Sequence, residues 1–292
     1  MNNEALTDCT LGEIYRHGAR LLREANIEDY SYDALCLMEH FFSVDRAGLI
    51  LHGDRAAEPE SRADFFSAIQ QRLQGRPLQY IIGIWSFMDF DFYIGEGVLI
   101  PREDTETAVN SAVDYLKSLN IARPRVIDLC SGSGAIAIAI AKLVPQCEVT
   151  AVELSDKAAE YLHRNVILNS ADNVTLLRGD VEVLYNEFSD EEFDLIISNP
   201  PYIETNVIDT LQQELKYEPR MALDGGRDGL YFYRIITELW HSKLKHGGML
   251  VYEIGENQYK SVSELLKRYG FGNIFYKLDV QNIKRAVGGI RL

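Results

Sequence analysis

The sequence predicts an α/β protein: a doubly wound, largely parallel sheet, preceded by a small helical domain and a β-hairpin connector. Three observations predict it. Apolar residues recur at helical spacing over residues 6–75, a short aromatic-rich stretch follows, and from residue 125 onward β-rich runs alternate with helical segments. A chain of 292 residues has room for one large and one small domain, since domains run to about 100 to 200 residues. With 47% hydrophobic and 25% charged residues it lies far from the composition of disordered chains.

The first element is a helical domain over residues 1–76. Ile14, Leu21 and Leu22, then Ala34, Leu35, Leu37, Met38, Phe41 and Phe42, fall on helical faces. Glycine and polar residues over 52–60 interrupt the pattern before Phe65, Phe66, Ile69 and Leu73 resume it. Residues 1–75 carry seven arginines against thirteen acidic side chains, so this domain is no clamp for nucleic acid. Residues 77–98 form the connector, in which Tyr, Ile, Trp and Phe from Leu78 to Tyr93, punctuated by Gly83 and Asp89, predict two strands and a short turn. Over residues 99–292, strands at 126–130, 149–153, 174–177, 193–198 and 249–254 alternate with helices. Two runs at 271–278 and 285–290, close in sequence, complete the sheet as an antiparallel pair. No internal repeat or low-complexity segment is present.

Composition narrows the function as well. The formal charge of −15 disfavours a protein that grips phosphate backbones and favours a protein partner, with no stable binding of nucleic acid. No apolar run approaches the roughly 18 residues that cross a bilayer, and Glu4, Asp8 and Glu13 stand where a leader would be basic, so a cytoplasmic protein is expected. Cys9, Cys36, Cys130 and Cys147 offer neither a close metal-binding pair nor a disulfide framework; buried free thiols are expected.

The strand at 126–130 runs into Asp128-Leu129-Cys130-Ser131-Gly132-Ser133-Gly134 and then into a helix former from Ala135. Such a turn lets a ligand approach the backbone and presents free N–H groups at a helix start. Glu153 ends the next strand about 20 residues on, where a carboxylate accepts from ribose hydroxyls. Asp180 follows the third strand and can meet an adenine amine. The full Gly-x-Gly-x-x-Gly spacing is missing because Ala137 takes the last place, which tilts the cofactor from NAD toward S-adenosyl-L-methionine, with S-adenosyl-L-homocysteine as product.

The fourth strand ends in Asn199-Pro200-Pro201-Tyr202. An amide or ring-amine nitrogen is a poor nucleophile because its lone pair is delocalised, and methyl transfer requires it to pyramidalise as positive charge develops. The side-chain carbonyl of Asn199 and the main-chain carbonyl of Pro200 are acceptors for its two N–H bonds. Consecutive prolines fix φ, and Tyr202 offers a ring face or a hydroxyl to the planar group. Donation from a sulfonium needs no metal, and none is expected.

Taken together, these segments resemble the bacterial release factor glutamine methyltransferases. The resemblance also rests on Pro77-Leu78-Gln79-Tyr80-Ile81-Ile82-Gly83, Leu99-Ile100-Pro101-Arg102-Glu103-Asp104-Thr105-Glu106, Glu218-Pro219-Arg220, Ala222-Leu223-Asp224-Gly225-Gly226 and Asp228-Gly229-Leu230. It implies a seven-stranded, Rossmann-like methyltransferase domain and a helical domain that helps hold the substrate. The implied reaction methylates the side-chain amide of the glutamine in the Gly-Gly-Gln motif of peptide chain release factors, by a monomer. Gly132, Gly134, Glu153 and Asp180 would hold the cofactor, together with Asp128, Cys130, Ser131, Ser133 and Asn199. Asn199, Pro200, Pro201 and Tyr202 would hold the target amide. Arg102, Thr105 and Glu106 would shape the site from outside, although Glu106 equally suits a helix cap. The alternatives are a ribosomal-protein glutamine and an adenine amine of DNA or RNA. Cys130 stands where the family commonly has glycine, Glu153 where aspartate is usual, and Asn282 and Ile283 where glycine and arginine are usual, which puts the geometry of the last hairpin in question.

Overall fold

The computed structural model describes residues 9–292. Leu6, Glu4 and Asp8, on which parts of the helical and leader readings rest, lie outside the described residues.

The chain divides into two compact units. The first holds α1 (Leu11–Glu24), α2 (Tyr30–Phe42), α3 (Arg46–His52), α4 (Pro59–Leu73) and α5 (Leu78–Ile82). It is completed by Gln213–Tyr217, contributed from far along the chain. A capping box starts α1, with Glu13 N donating to Thr10 Oγ1 and Thr10 N to Glu13 Oε2. Ile14, Leu22, Leu37, Met38, Phe65 and Ile69 are buried in its core. Arg72, also buried, bonds Asp33 Oδ2 at 2.6 Å and Glu214 Oε1 at 2.5 Å.

The second unit opens with a hairpin of β1 (Ile84–Phe87) and β2 (Phe90–Tyr93). Here the expectation of two strands from Leu78 is corrected, because Leu78–Ile82 is helical and ends at Gly83. The hairpin pairs Phe87 with Phe90 around Met88 and Asp89, both at positive φ (50° and 65°), as a two-residue primed turn requires. There follow α6 (Glu106–Ser118), β3 (Arg125–Leu129), α7 (Ala135–Leu143), β4 (Glu148–Glu153), α8 (Asp156–Leu168), β5 (Val174–Arg178), α9 (Val181–Leu184) and β6 (Phe193–Ser198). The unit closes with α10 (Tyr231–Trp240), β7 (Leu244–Glu253), α11 (Tyr259–Arg268), β8 (Phe271–Leu278) and β9 (Lys284–Arg291).

The seven strands are ordered β5-β4-β3-β6-β7-β9-β8; the first five run parallel, and β9 is antiparallel to both its neighbours, β7 and β8. Strand β3 lies between β4 and β6, so the order reverses beside it, and the crevice at the carboxyl ends of β3 and β6 is the topological switch point where doubly wound sheets bind ligands. The central strands are buried on both faces; all of β6 is buried. The C-terminal hairpin of β8 and β9 carries register shifts between Gly272 and Phe275 and between Lys277 and Leu278. Asp279 Oδ1 accepts from Gln281 N and Ile283 N, its other oxygen bonds Arg285, and Asn282 takes φ +62°, a conformation asparagine tolerates in place of glycine. Of the cysteines only Cys147 is buried; Cys9, Cys36 and Cys130 are free and partly exposed, which corrects the expectation for those three.

Candidate active site

A cavity opens at the switch point, walled on one side by the loop after β3 and on the other by the loop after β6. Cys130, Ser131, Gly132 and Ser133 line it, as do Glu153, Asp180, Asn199 and Pro201. Asp128, Gly134, Pro200 and Tyr202 do not.

Asp128 is fully buried, with no hydrogen bond to either carboxylate oxygen; Ser131 Oγ donates instead to its main-chain carbonyl at 2.9 Å. Burial pushes its carboxyl up to about 8. Gly132 adopts φ +55°, and a side chain there would meet only open space, so the loop leaves a cradle for a ligand against its backbone. The loop is held from behind by Asn165, buried on α8, whose Nδ2 donates to Ser133 O and whose Oδ1 accepts from Tyr93 N of the hairpin. Nothing in the spacing of the sequence singles out that asparagine.

Glu153 accepts from Gly132 N at 2.8 Å and from Ser155 N at 2.7 Å. Burial raises its pKa, opposed by these backbone bonds. Each carboxylate oxygen keeps a further lone pair, so the group can accept from a diol while it also fixes the glycine loop. Asp180 caps α9, accepting from Glu182 N. Apolar walls come from Ile136, Leu154, Val181 and Phe232. A cradle, two acidic acceptors and apolar faces suit a nucleoside, so the residues present fit S-adenosyl-L-methionine.

Asn199 follows the last residue of β6, where Ser198 is in register with Tyr252 of β7, so Glu253 stands beside Asn199 at the sheet edge. Its Nδ2 donates to Thr105 Oγ1 at 3.3 Å, leaving Oδ1 as the side chain's free acceptor. Thr105 thus lines the cavity itself and touches Asn199 directly, whereas Glu106 begins α6 and does not line the cavity. Tyr202 directs its hydroxyl at Glu253 Oε1, 3.3 Å away. The main chain of Tyr202 is gripped by Gln258, whose Nε2 donates to Tyr202 O and Gly229 O while its Oε1 accepts from Gly255 N. Gly225 packs so tightly under the loop that a Cβ there would sit 2.6 Å from Tyr202 Cα.

Four residues were given no role in the site by the sequence reading, although Glu218 stands in one of the segments that carry the family resemblance. Glu218, buried, accepts from Ile100 N and pairs with Arg102, fastening the 97–102 segment along the cavity wall. Met221 and Phe232 add apolar lining. Glu253, 1% exposed, is pushed up to about 7 by burial. An acidic residue ending β7 as Glu153 ends β4 was the available signal for it.

A doubly wound seven-stranded sheet with a glycine-bearing nucleoside cradle facing an Asn-Pro-Pro-Tyr loop across its switch point defines an S-adenosyl-L-methionine-dependent methyltransferase. Family models for the PrmC N-terminal domain and the methyltransferase small domain match residues 13–83 and 108–227. The release factor glutamine methyltransferase of Geobacter sulfurreducens is 39% identical over 92% of each chain. That of Clostridium acetobutylicum is 38% identical over 93% of this chain and 95% of its own. Among solved structures, the hMettl16 catalytic domain shares the fold at a TM-score of 0.59, with 13% identity over 91% of this chain and 94% of that one. The chain belongs to the release factor glutamine methyltransferase family. S-adenosyl-L-methionine is accordingly its methyl donor.

Proposed function

We propose that this protein methylates the side-chain amide nitrogen of the glutamine in the Gly-Gly-Gln motif of peptide chain release factors. One observation carries the reading beyond family membership: Asn199, held by Thr105 with its carbonyl left free, lines the same cavity as the cofactor cradle. The bound cofactor supplies a sulfonium methyl group. Asn199 Oδ1 and Pro200 O accept from the target N–H bonds and so favour the pyramidal, positively charged nitrogen of the transition state. The cavity walls set the in-line approach, worth a large share of the rate, and the surplus proton leaves after transfer. Gly132, Gly134, Cys130, Ser131, Ser133, Glu153 and Asp180 serve the cofactor, Asp128 from beneath the loop. Pro201 and Tyr202 shape the amide pocket.

The helical unit serves substrate capture, and the protein acts as a cytoplasmic monomer without stable binding to nucleic acid. The charge of −15 supports the last point, and no described helix is long and apolar enough to cross a membrane. The test is transfer of labelled methyl to a purified release factor, beside the same factor with its Gly-Gly-Gln glutamine replaced, a ribosomal-protein mixture, DNA and RNA. Label on the intact factor alone is expected. Label on nucleic acid or on a ribosomal protein instead would overturn the assignment.

A further inference from the structure

Thr105, which takes the Nδ2 hydrogen of Asn199, stands on a slight support. It ends a single 3₁₀ turn, Glu103–Thr105, whose main-chain bonds are local, such as that from Thr105 N to Arg102 O at 3.1 Å. Turns of this kind have poorer hydrogen-bond geometry than an α-helix. A side chain held on one is placed accurately when the turn is fastened from outside, and Thr105, which is buried, is held on a turn fastened by two arginines.

At the start of the turn Arg102 pairs with Glu218. At its middle residue, Asp104 Oδ2 lies 3.0 Å from Nε of Arg285, on β9. Arg285 is itself fixed from two sides. Its Nε donates to Asp279 Oδ2 at 2.9 Å, and its main-chain carbonyl accepts from Ile254 N, just past β7, at 2.8 Å. Asp279 is anchored in turn by Gln281 N and Ile283 N, and its side chain is 2% exposed. A continuous series of contacts therefore runs from the turn of the last hairpin to the target amide's acceptor: Asp279 to Arg285, Arg285 to Asp104, and, through the next residue, Thr105 to Asn199.

Resting on the proposed reaction, we infer that Arg285 is a positioning residue for methyl transfer. By tying Asp104 to the C-terminal hairpin it fixes the Thr105 hydroxyl against the Asn199 NH2, which leaves Asn199 Oδ1 as the acceptor for the target N–H. The hairpin thus closes the sheet and also sets the geometry of the acceptor site. A guanidinium suits the task, because its planar fork of five donors can face two carboxylates at once and stays charged. The neighbouring cation is used differently. Lys284 Nζ lies 4.1 and 4.3 Å from the ring centroids of Tyr259 and Tyr276, a stack that steadies the same hairpin.

The test uses full-length enzyme, S-adenosyl-L-methionine and intact release factor. Arg285→Met and Asp104→Ala should each lower kcat by about 10-fold or more, since a misplacement of about 1 Å among reacting groups costs up to about 10²-fold. Cofactor affinity and KM for the release factor should stay within about 2-fold of wild type, because the ground-state contacts are untouched. Lys284→Ala weakens the hairpin but should keep wild-type kcat, which separates loss of positioning from loss of hairpin stability. Asp104→Ala combined with Thr105→Val should lose no more kcat than Thr105→Val alone, since residues acting through one contact are not additive. In the cofactor-loaded enzyme the side-chain 15NH2 resonance of Asn199 should shift in Asp104→Ala and stay in place in Lys284→Ala. The Asp104 side chain is 32% exposed, so its variant answers even where Arg285→Met fails to fold. Wild-type kcat in Asp104→Ala, the same kcat loss in Lys284→Ala, fully additive losses in the double variant, or an Asn199 resonance unmoved by Asp104→Ala overturns the inference. A wild-type enzyme that leaves the release factor unlabelled sinks the proposed reaction instead, and the Asn199 resonance still decides the positioning.

Discussion

At the scale of single residues, the division of labour around the cavity predicts opposite phenotypes for two carboxamide and carboxylate groups. Asn199→Ala removes an acceptor aimed at the target amide, so transfer should fall by about 10²-fold or more while cofactor affinity, by calorimetry, is largely kept. Glu153→Ala releases both the Gly132 and Ser155 backbone donors, so cofactor affinity should fail first. Equal loss of binding in both variants would refute the split. Asp128 predicts a pH effect. Its folded-state pKa is raised from 3.8 to about 8, so the stability it contributes is full below its unfolded pKa and is lost as pH rises toward 8. Asp128→Asn removes that loss. In the cofactor-free protein the variant's melting temperature should gain on wild type between about pH 5 and about pH 8, by up to about 1.4 kcal/mol of stability per pH unit; a constant gap across that range would contradict it. Cavity-lining residues were legible where chemistry and position coincide, as at Gly132, Glu153 and Asn199, which all line the same cavity. Asn165, Glu218 and Glu253 were not, because their roles depend on partners 72, 118 and 51 residues away that only the folded chain brings together.

Whole elements were legible in proportion to their length and burial. The parallel strands read as continuous apolar runs because helices cover both faces of the sheet, and each lies within a few residues of its expected place. The error fell on α5, where Tyr80, Ile81 and Ile82 carry strand preference but only five residues are available, too few for helical periodicity to show. The hairpin that follows is shorter than expected and places two non-glycine residues at positive φ. Asp89 is exposed at φ 65°, so Asp89→Gly should relieve strain by up to about 1 kcal/mol once glycine's greater unfolded entropy is subtracted. That corresponds to a rise of roughly 2 to 4 °C in melting temperature with kcat unchanged. A lower melting temperature would show that the aspartate contributes more in this turn than its backbone costs. In the hairpin of β8 and β9, which belongs to the seven-stranded sheet and not to the β1–β2 pair, Asn282 takes the left-handed conformation that asparagine tolerates, and Asp279 fastens the turn.

At the scale of the molecule, two compact units of unlike texture were evident from the change in periodicity, but the contribution of Gln213–Tyr217 to the helical unit was not. That segment is short, polar and separated from α4 by about half the chain; only its contacts reveal it. Glu214 meets Arg72, and Gln213 and Tyr217 both donate to Gln74 O. Arg72 in turn neutralises Asp33, whose carboxyl is raised by burial and lowered by the arginine. Removing one partner from such a buried pair leaves a charge without compensation, at a cost of about 3 to 5 kcal/mol. Arg72→Met should therefore destabilise the helical unit strongly, whereas Glu214→Gln, on a partner whose side chain is 42% exposed, should cost under about 1 kcal/mol. The pair also separates the two units' tasks. If the helical unit captures the release factor while the sheet unit binds cofactor and transfers the methyl group, Arg72→Met should raise KM for the release factor far more than it weakens cofactor binding, because Arg72 lines no part of the cofactor cavity. An Arg72→Met enzyme with unchanged KM despite a lowered melting temperature would show that the helical unit is a scaffold only, and that the sheet unit recognises its substrate unaided.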